Sequence, residues 1–378
     1  MIKTKDKDLK TKRFDKILLI ITLLLLSYGT AMVISAGSAY AQVKYGDAMY
    51  FVKRQMIWLI VGLVAMLIAS KIDISYIKKA SIVIYVASLV LLILTLVIGF
   101  TGNGAQRWIS IGPLTIQPSE IAKLSVVLML SYYFDKYEIK ATSAKGSESF
   151  IYGTMLPLLI ILVPIILVML QKHLSCIIIL GMIGVILILL AGVRIRYIAG
   201  FIGVGAAGIA ALALFTDYTK DRITVWLDPE KYKLTGGWQT LQGLMAIGSG
   251  GYFGKGYGMS ELKHLYVSEP ANDMIFAILC EELGIIGALV AIGLFASLIY
   301  RGFRIAENSK GTYQRILCLG ISCQIAIQTL LNIAVVTNTI PNTGISLPFF
   351  SYGGSSLVML LFEIGLILSV SRHAKIGK

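Results

Sequence analysis

Long apolar runs separated by short polar segments make up most of the chain. A transmembrane helix needs about 20 mostly apolar residues to cross the hydrocarbon layer. A hydropathy window finds about ten such runs, at residues 17–36, 56–70, 80–100, 118–134, 153–170, 175–192, 197–215, 273–300, 316–336 and 355–371. The pattern predicts an all-α polytopic membrane protein that forms a single integral membrane domain over residues 1–378.

The composition supports this prediction. Hydrophobic residues make up 57% of the chain and charged residues 14%, with a mean hydropathy of +0.80. Soluble domains average about 45–50% apolar and about 25% charged residues. We therefore expect a multi-pass protein of the cell membrane, in contact with membrane lipids, and no soluble catalytic domain.

The distribution of Lys and Arg predicts the orientation. When residues 1–16 form a cytoplasmic tail, the inner segments carry about twice as many Lys and Arg as the outer ones. This predicts cytoplasmic N- and C-termini and a large extracellular loop, 216–272, between spans 7 and 8. The net charge of +14 then reflects topology and attraction to anionic lipids, and we expect no nucleic-acid partner.

The N-terminal segment also resembles a signal peptide, because a Lys-rich start and an apolar run precede Ala39-Tyr40-Ala41. Signal peptides have apolar cores of about 7–15 residues. The run here is longer, so we expect the first helix to be retained.

Three external segments differ from ordinary connectors: 102–120, 216–272 and 338–356. All are rich in Gly, Pro, Ser, Asn and aromatic residues. Irregular backbone at membrane depth is tolerated where protein or a watery cavity satisfies its polar groups. Since all three fall on one side of the predicted membrane, they predict a cavity that opens to the exterior.

The glycine-rich stretch GSGGYFGKGYG, 248–258, suggests a phosphate-binding loop. It lacks the spacing of a P-loop and follows no predicted strand. Two interpretations stay open, a glycine-rich turn that lets backbone approach a ligand and plain flexibility.

Asp273 lies where the eighth span is predicted to begin, with Glu281 and Glu282 deeper in the same span. An acid at this position could cap the helix, a role that Asn272 or Asp273 can each fill. It could equally hold a ligand or perform chemistry, and the residues alone leave both interpretations open.

Other ionisable residues in or beside the spans are candidates for function. Glu120 and Lys123 are three residues apart and share a helix face, so they form either a self-satisfied ion pair or part of a site. Arg222 could clamp a phosphate through two hydrogen bonds. Lys255 and Lys263 could bind an anion as point charges.

Four sequence blocks, at 104–124, 246–258, 269–288 and 342–356, together resemble the SEDS family of FtsW/RodA/SpoVE-type proteins. They read GAQRWISIGPLTIQPSEIAKL, AIGSGGYFGKGYG, EPANDMIFAILCEELGIIGA and NTGISLPFFSYGGSS. The blocks occur in family order, and the predicted ten spans agree with the family's topology. The resemblance covers nearly all of the chain.

The resemblance implies a peptidoglycan glycosyltransferase that polymerises lipid II at the outer face of the bacterial cytoplasmic membrane. Its role would be in division, elongation or sporulation, with a class B penicillin-binding protein as partner. The family's essential aspartate matches Asp273, and its glutamate, lysine and arginine match Glu120, Lys123 and Arg222.

The resemblance also implies supporting roles for other polar residues. Candidates for substrate binding in the matching blocks and the external loop are Arg107, Gln117, Lys255, Lys263, Ser351 and Ser355. A divalent cation, Mg²⁺ or Mn²⁺, could be held by Asp273 and Glu120.

The chain departs from the family pattern at three positions. His173, in QKHLSC, replaces an aspartate expected to pair with Lys123. Asn272 stands where threonine is frequent, and Gly243 where serine is frequent. The first of these departures leaves Glu120 as the expected partner of Lys123.

The implied reaction is a single inverting displacement, with Asp273 as general base and undecaprenyl diphosphate as leaving group. Two other functions remain open from the residues. An intramembrane set of Glu, Lys and Asp would also suit a flippase that transports lipid II. A non-catalytic scaffold for a penicillin-binding protein is the third alternative.

Overall fold

The computed structural model describes residues 14–102, 105–111, 114–142, 147–194, 199–200, 203 and 217–374. These residues are mostly helical. The helices are α1 (Lys16–Tyr45), α2 (Tyr50–Lys71), α3 (Ile74–Ile98), α4 (Pro118–Thr142), α5 (Ser147–Phe150), α6 (Leu156–Leu170), α7 (Leu174–Leu190), α8 (Asp217–Leu227), α9 (Trp238–Ser249), α10 (Ile275–Glu307), α11 (Thr312–Val336) and α12 (Gly354–Ser371), with a π-helical turn at Ile151–Met155 before α6.

Most of the predicted spans coincide with long helices. Seven helical segments in the described residues are long and apolar enough to cross a membrane. The predicted spans at 118–134 and 175–192 correspond to α4, which carries charged side chains, and to the shorter α7. The predicted span 197–215 lies outside the described residues.

The first external segment contains β structure, so the all-α prediction needs a correction. Strands β1 (Phe100–Gly102), β2 (Ala105–Ile111) and β3 (Leu114–Ile116) form an antiparallel sheet in the order β1-β2-β3. Antiparallel strands joined by short turns satisfy one another's backbone groups. The sequence analysis treated this segment as irregular because each strand is short.

Both ends of the described chain lie at the same end of the helix bundle. The Asp15 side chain caps α1 by accepting a hydrogen bond from Leu18 N at 2.8 Å. Its carboxylate also accepts from Arg301 at 2.6 Å, and its backbone N–H donates to Ser371 Oγ at 3.0 Å. The N-terminus of α1 is therefore bound to α10 and to the C-terminus of α12. Helix α1 continues through residues 39–41.

Helices α11 and α12 form the interior of the bundle, whereas α2 and α3 lie nearer its surface. About 72% of the most apolar window of α11 is buried, against 28% for α3. Helix α12 packs along α2, and a Cβ added at Gly365 would lie 2.5 Å from the Met66 carbonyl oxygen. Small residues at such contacts let membrane helices approach closely.

Helix α10 is broken at Gly284, which has φ +65° and ψ −165°. The glycine-rich stretch fills the gap with backbone hydrogen bonds. Lys255 N–H donates to the Glu281 carbonyl and Ile285 N–H donates to the Gly251 carbonyl, at 2.9 and 3.0 Å. The backbone groups freed by the break are thus paired within the protein, as irregular backbone at membrane depth requires.

The large external segment packs against the loop that follows α11. Trp226 in α8 donates its indole N–H to the Asn338 carbonyl at 2.9 Å. Trp238, at the start of α9, donates to the Tyr266 carbonyl at 2.8 Å. These contacts hold α8 and α9 at the end of the bundle opposite Asp15.

Candidate active site

Asp273 lies in the turn before α10 and caps no helix. The N-cap residue of α10 is Met274, and no side chain makes a capping hydrogen bond there. Asn272 instead donates its side-chain amide to the Glu269 carboxylate. The capping interpretation is therefore wrong for both residues, and helix α10 starts two residues later than predicted.

The backbone on either side of Asp273 is attached to the segment after α11. Asn332 donates to the carbonyls of Asp273 and Ile345, at 2.8 and 2.6 Å. Ser351 Oγ donates to the Asn272 carbonyl at 2.6 Å, and it accepts from Leu347 N–H at 2.7 Å. The position of Asp273 is therefore fixed by α11 and by the third external segment. Ser351, a candidate for substrate binding, is 6% exposed and has this structural role.

The Asp273 carboxylate is only partly satisfied. The side chain is half-buried, and its Oδ1 atom is buried without a hydrogen-bond partner among the described residues. The Gln239 side chain hydrogen-bonds the carboxylate, and a Cβ at Gly344 would lie 3.6 Å from Oδ2. Buried polar atoms are nearly always paired, so an acid with a free oxygen is available to bind or to react.

Burial raises the pKa of Asp273 to about 7, with a further increase from the nearby charge of Glu269. The Gln239 hydrogen bond and the Arg222 charge act in the opposite direction. A carboxyl group with a pKa near the working pH can both accept and release a proton, which is what general acid–base catalysis requires.

One cavity lies on the α8 and α9 side of Asp273. It has a volume of about 250 Å³, and its lining includes Arg222, Gln239 and Asn342. The Arg222 guanidinium donates a hydrogen bond to the Asn342 carbonyl, which holds it at the cavity wall. The structure thus brings Arg222 and Asp273 to one place, with Gln239 between the cavity and the acid.

A larger cavity lies on the other side, next to Asn272. Its volume is about 480 Å³, and it opens toward the membrane, since the lining residue Ile57 is 57% exposed. It is lined by residues of α2, the sheet, the turn before α10 and the start of α12: Arg54, Ile57, Trp58, Trp108, Thr115, Gln117, Asn272, Ser346, Tyr352, Gly353, Gly354, Ser355 and Ser356. The predicted residues Gln117 and Ser355 thus face one cavity.

Arg54 is the only arginine in that lining. Its guanidinium lies 4.5 Å from the centre of the Tyr50 ring. Arg54 and Trp58 were not predicted as site residues, although a tryptophan near the end of a span is typical of the membrane interface.

Glu120 and Lys123 form the predicted ion pair, with Lys123 Nζ 2.9 Å from Glu120 Oε1. The Lys123 side chain is only 2% exposed, so its ammonium lies behind the cavity wall. Glu120 and Ser356 line a small inner cavity of about 20 Å³, and Ser356 also lines the 480 Å³ cavity. Lys123 therefore acts on the larger cavity only through other residues.

Lys255 and Lys263 are paired with carboxylates of α10. Lys255 Nζ lies 2.9 Å from Glu281 Oε1, and Lys263 Nζ lies 2.8 Å from Glu282 Oε1. Lys263 is 4% exposed, and both glutamates are fully buried. These two pairs thus fasten the glycine-rich stretch and the residues that follow it to the broken helix.

Arg107 lies in strand β2, away from Asp273. Its guanidinium donates to the Lys172 carbonyl at 2.7 Å, which joins the sheet to the turn between α6 and α7. His173 follows in that turn and is buried. Burial, with the charges of Arg107 and Lys123, lowers the pKa of His173 to about 3, so its imidazole is neutral.

The residues suggested for a divalent cation belong to two different places. Glu120 is bound to Lys123, whereas Asp273 interacts with Gln239 and Glu269. Among the residues that the structure describes, no three His, Cys, Asp or Glu side chains are grouped so that they could hold a metal ion. A divalent cation held by Asp273 and Glu120 stays a prediction.

Fold and site together define a multi-pass membrane protein with an incompletely hydrogen-bonded acid, Asp273, whose neighbours Gln239 and Asn272 line two cavities. The chain belongs to the FtsW/RodA/SpoVE family of cell cycle proteins, whose profile matches residues 15–376.

Two curated relatives match over nearly the whole chain. Stage V sporulation protein E of Bacillus subtilis is 39% identical over 364 residues, 96% of this chain and 98% of the relative. A probable peptidoglycan glycosyltransferase FtsW of Trichlorobacter lovleyi is 35% identical over 380 residues, 100% of this chain and 98% of the relative.

Solved structures share the fold. A chain from a peptidoglycan synthase complex that coordinates polymerization and crosslinking superposes with a TM-score of 0.79 at 26% identity, over 96% of this chain and 99% of that chain. The rod shape determining protein RodA of Thermus thermophilus superposes with a TM-score of 0.71, also at 26% identity, over 96% of this chain and 98% of that chain.

Proposed function

We propose that this protein is a peptidoglycan glycosyltransferase that polymerises lipid II at the outer face of the bacterial cytoplasmic membrane. The observation that carries the proposal is the Asp273 carboxyl group, which lies between two cavities, has an unpaired oxygen and has a pKa raised to about 7. The names of the curated relatives support the same activity.

The proposed topology has ten spans with both termini in the cytoplasm. Asp15 and Ser371 meet at one end of the bundle, which supports an even number of membrane crossings. Nine of the predicted spans correspond to described helices, and the predicted span 197–215 would be the tenth. The excess of Lys and Arg on the side of the termini supports an outer position for Asp273.

Two lipid-linked substrates must meet in such a reaction, and each carries a diphosphate. The cavities beside Asp273 offer one arginine each, Arg222 and Arg54. A guanidinium binds phosphate oxygens through paired hydrogen bonds. We assign one disaccharide donor and one acceptor to these cavities, with the membrane-facing one open to a lipid tail.

The proposed chemistry is an inverting displacement. Asp273 removes the proton from the acceptor's sugar hydroxyl, whose oxygen forms a bond to the donor's anomeric carbon. The bond from that carbon to the diphosphate oxygen breaks, and the diphosphate leaves with the electron pair. A positioned base contributes about 10²–10⁴-fold, and the arginines stabilise the charge on the leaving group.

The remaining predicted residues support this site. Glu120 and Lys123 lie beneath the larger cavity, and Lys123 contributes its charge without touching the diphosphate. Gln117 and Ser355 line the cavity and can hydrogen-bond sugar or phosphate. The proposed partner is a class B penicillin-binding protein, and the similarity to a chain of a peptidoglycan synthase complex that coordinates polymerization and crosslinking supports a crosslinking partner.

The decisive test replaces Asp273 with Asn in the protein purified with its penicillin-binding partner. We expect the rate of glycan formation from fluorescent lipid II to fall about 10²–10⁴-fold, because the base is lost. Asp228→Asn, an exposed acid of the same external segment, is the matched control and should polymerise normally. Normal glycan chains from Asp273→Asn would refute the assignment.

A flippase is the second candidate, because transporters commonly have discontinuous helices and α10 is broken at Gly284. The sequence analysis did not identify this break. The same purified protein in vesicles separates the two functions, since movement of labelled lipid II without polymer would favour transport. A scaffold would instead tolerate Asp273→Ala in cells that lack the native protein.

A further inference from the structure

Lys123 is a buried cation in the middle of the bundle. It lies in α4, and its carboxylate partner is Glu120, at 2.9 Å. An ammonium in a low-dielectric interior is stable only when opposite charge and hydrogen bonds surround it closely. The groups around Lys123 therefore decide where its charge is held.

His173 supplies no charge on the side of Lys123 where the family resemblance places an aspartate. Its imidazole is neutral, because its pKa is lowered to about 3 by burial and by the charges of Arg107 and Lys123. Its Nδ1 atom is buried and finds no hydrogen-bond partner among the described residues. A negative charge that replaces this aspartate beside Lys123 must come from another residue.

Glu363 is a second carboxylate close to Lys123. It lies in α12, roughly 14 Å along the helix from Gly354 at 1.5 Å per residue, and is 1% exposed. The Gln324 amide donates to both of its carboxylate oxygens at 2.9 Å. Glu363 interacts electrostatically with Lys123 and with Glu120.

The geometry places the two carboxylates on one cavity. Glu120 and Glu363 both line the inner cavity of about 20 Å³ below Ser356. Gln324 lines it too, is 3% exposed, and has an Oε1 atom without a partner in the described part of the chain. A carboxylate this deep in a membrane protein is costly and usually functional.

We propose that Glu363 is a positioning residue for the polymerisation reaction, acting as the second counter-charge of Lys123. Glu120 pairs with the ammonium directly, and Glu363, on the same inner cavity as Glu120, adds a second negative charge that interacts with it. The held charge contributes a fixed positive potential where the diphosphate carries its negative charge. Glu363 thus supplies the negative charge that an aspartate at position 173 would supply.

The activity test uses Glu363→Gln, which keeps the shape of the side chain and an acceptor for Gln324. We expect kcat for lipid II polymerisation to fall about 10- to 100-fold, since misplacing one group in a site can cost about 10²-fold. KM should change little, because Glu363 does not touch substrate. This arm rests on the proposed function.

A second-site change makes the test specific. In Glu363→Gln/His173→Asp the missing charge returns on the other side of Lys123, and we expect kcat within about threefold of the wild type, well above the 10- to 100-fold loss that misplacement predicts. Glu363→Gln/His173→Asn is the matched control and should stay low. Equal rates in the two double variants would overturn the proposal, as would a normal rate in Glu363→Gln.

A stability cycle separates this inference from the proposed function. Lys123→Met should lower the melting temperature of the purified protein less in the Glu363→Gln background than in the wild type. In that background only Glu120 loses the Lys123 charge, whereas in the wild type both Glu120 and Glu363 lose it. Additive changes would overturn the Glu363–Lys123 coupling. If the stability effects of the two substitutions are coupled but the wild-type protein forms no polymer, only the proposed function is refuted.

Discussion

Asp273 lies within ten residues of a second group of acids, Glu281 and Glu282, and the surroundings of the two groups differ. Glu281 and Glu282 are fully buried, yet each has a lysine and a serine hydroxyl as partners. Asp273 is half-buried, and one of its oxygens has no partner in the described structure.

The comparison distinguishes acids that stabilise the fold from an acid that is available for chemistry. Ser35, Lys263 and the Ser260 N–H all donate to Glu282, so little of its hydrogen-bonding capacity is left for a ligand. Those bonds connect α1, the residues just after the glycine-rich stretch and the broken helix. Among the described residues, the Asp273 side chain has a hydrogen bond from the Gln239 side chain, and its Oδ1 is left to exchange a proton.

The largest effect on stability should come from breaking the buried pair. Lys263→Met leaves the Glu282 charge uncompensated, and removing one partner of a buried ion pair costs about 3–5 kcal/mol. Lys53→Met is the matched control, since Lys53 and its partner Asp47 are 66% and 40% exposed and solvent screens their charges. We expect a clearly lower melting temperature for Lys263→Met than for Lys53→Met in detergent. Equal melting temperatures would contradict the structural role of the Glu282 pair.

A smaller loss should follow from a methyl group in the glycine-rich segment. Gly254 and Gly258 have similar positive φ angles, +79° and +81°. A Cβ at Gly254 would lie 2.2 Å from the Glu282 carbonyl oxygen, whereas a Cβ at Gly258 would meet nothing within 4 Å.

Both Gly254→Ala and Gly258→Ala place an alanine in the left-handed region, at a cost of about 1–2 kcal/mol. Only Gly254→Ala adds overpacking, worth about 1–3 kcal/mol. Thermal unfolding of the two variants measures the difference. If Gly258→Ala loses as much stability as Gly254→Ala, the segment is not packed against α10 in this way.

The pH dependence of the polymerisation rate tests whether Asp273 acts as the base. A base must be deprotonated to act, and the pKa of Asp273 is about 7. We expect kcat/KM to fall about tenfold for each pH unit below 7 and to level off above it. An unchanged rate between pH 5 and pH 8 would exclude Asp273 as the titrating base.

The sequence predicted the helices because apolar runs of spanning length leave the chain few alternatives. It also predicted that Asp273 lies at the end of a span, and the helix begins two residues after it. The capping interpretation failed because helix propensity sets boundaries only loosely, and Met274 took the N-cap position. The surroundings of the carboxylate depend on Gln239 and Gly344, which come close to Asp273 only in the folded protein.

Other features required the fold itself. A glycine inside an apolar run is ordinary in membrane helices, so the break at Gly284 left no distinctive signal. The pairing of Lys255 and Lys263 with α10 joins residues that are 26 and 19 positions apart in the chain. Glu363 was different, because a single acid within the last apolar run was a visible signal that the sequence analysis passed over.

The pH dependence of the stability of Asp273→Asn is a separate test, and its sign follows from proton linkage. An acid whose folded pKa is raised from 3.8 to about 7 binds its proton more tightly in the folded state. Its contribution to stability is therefore fully present below pH 3.8, is lost as the pH rises toward 7, and stays constant above that. Asparagine does not titrate, so the melting temperature of Asp273→Asn relative to wild type should rise between about pH 4 and pH 7. In Glu282→Gln the difference should have the opposite sign at neutral pH, because that variant leaves Lys263 buried without its counter-charge. A melting temperature of Asp273→Asn that falls below wild type at pH 8 would show that the carboxylate is held as firmly as Glu282, and the comparison between the two groups of acids would no longer hold.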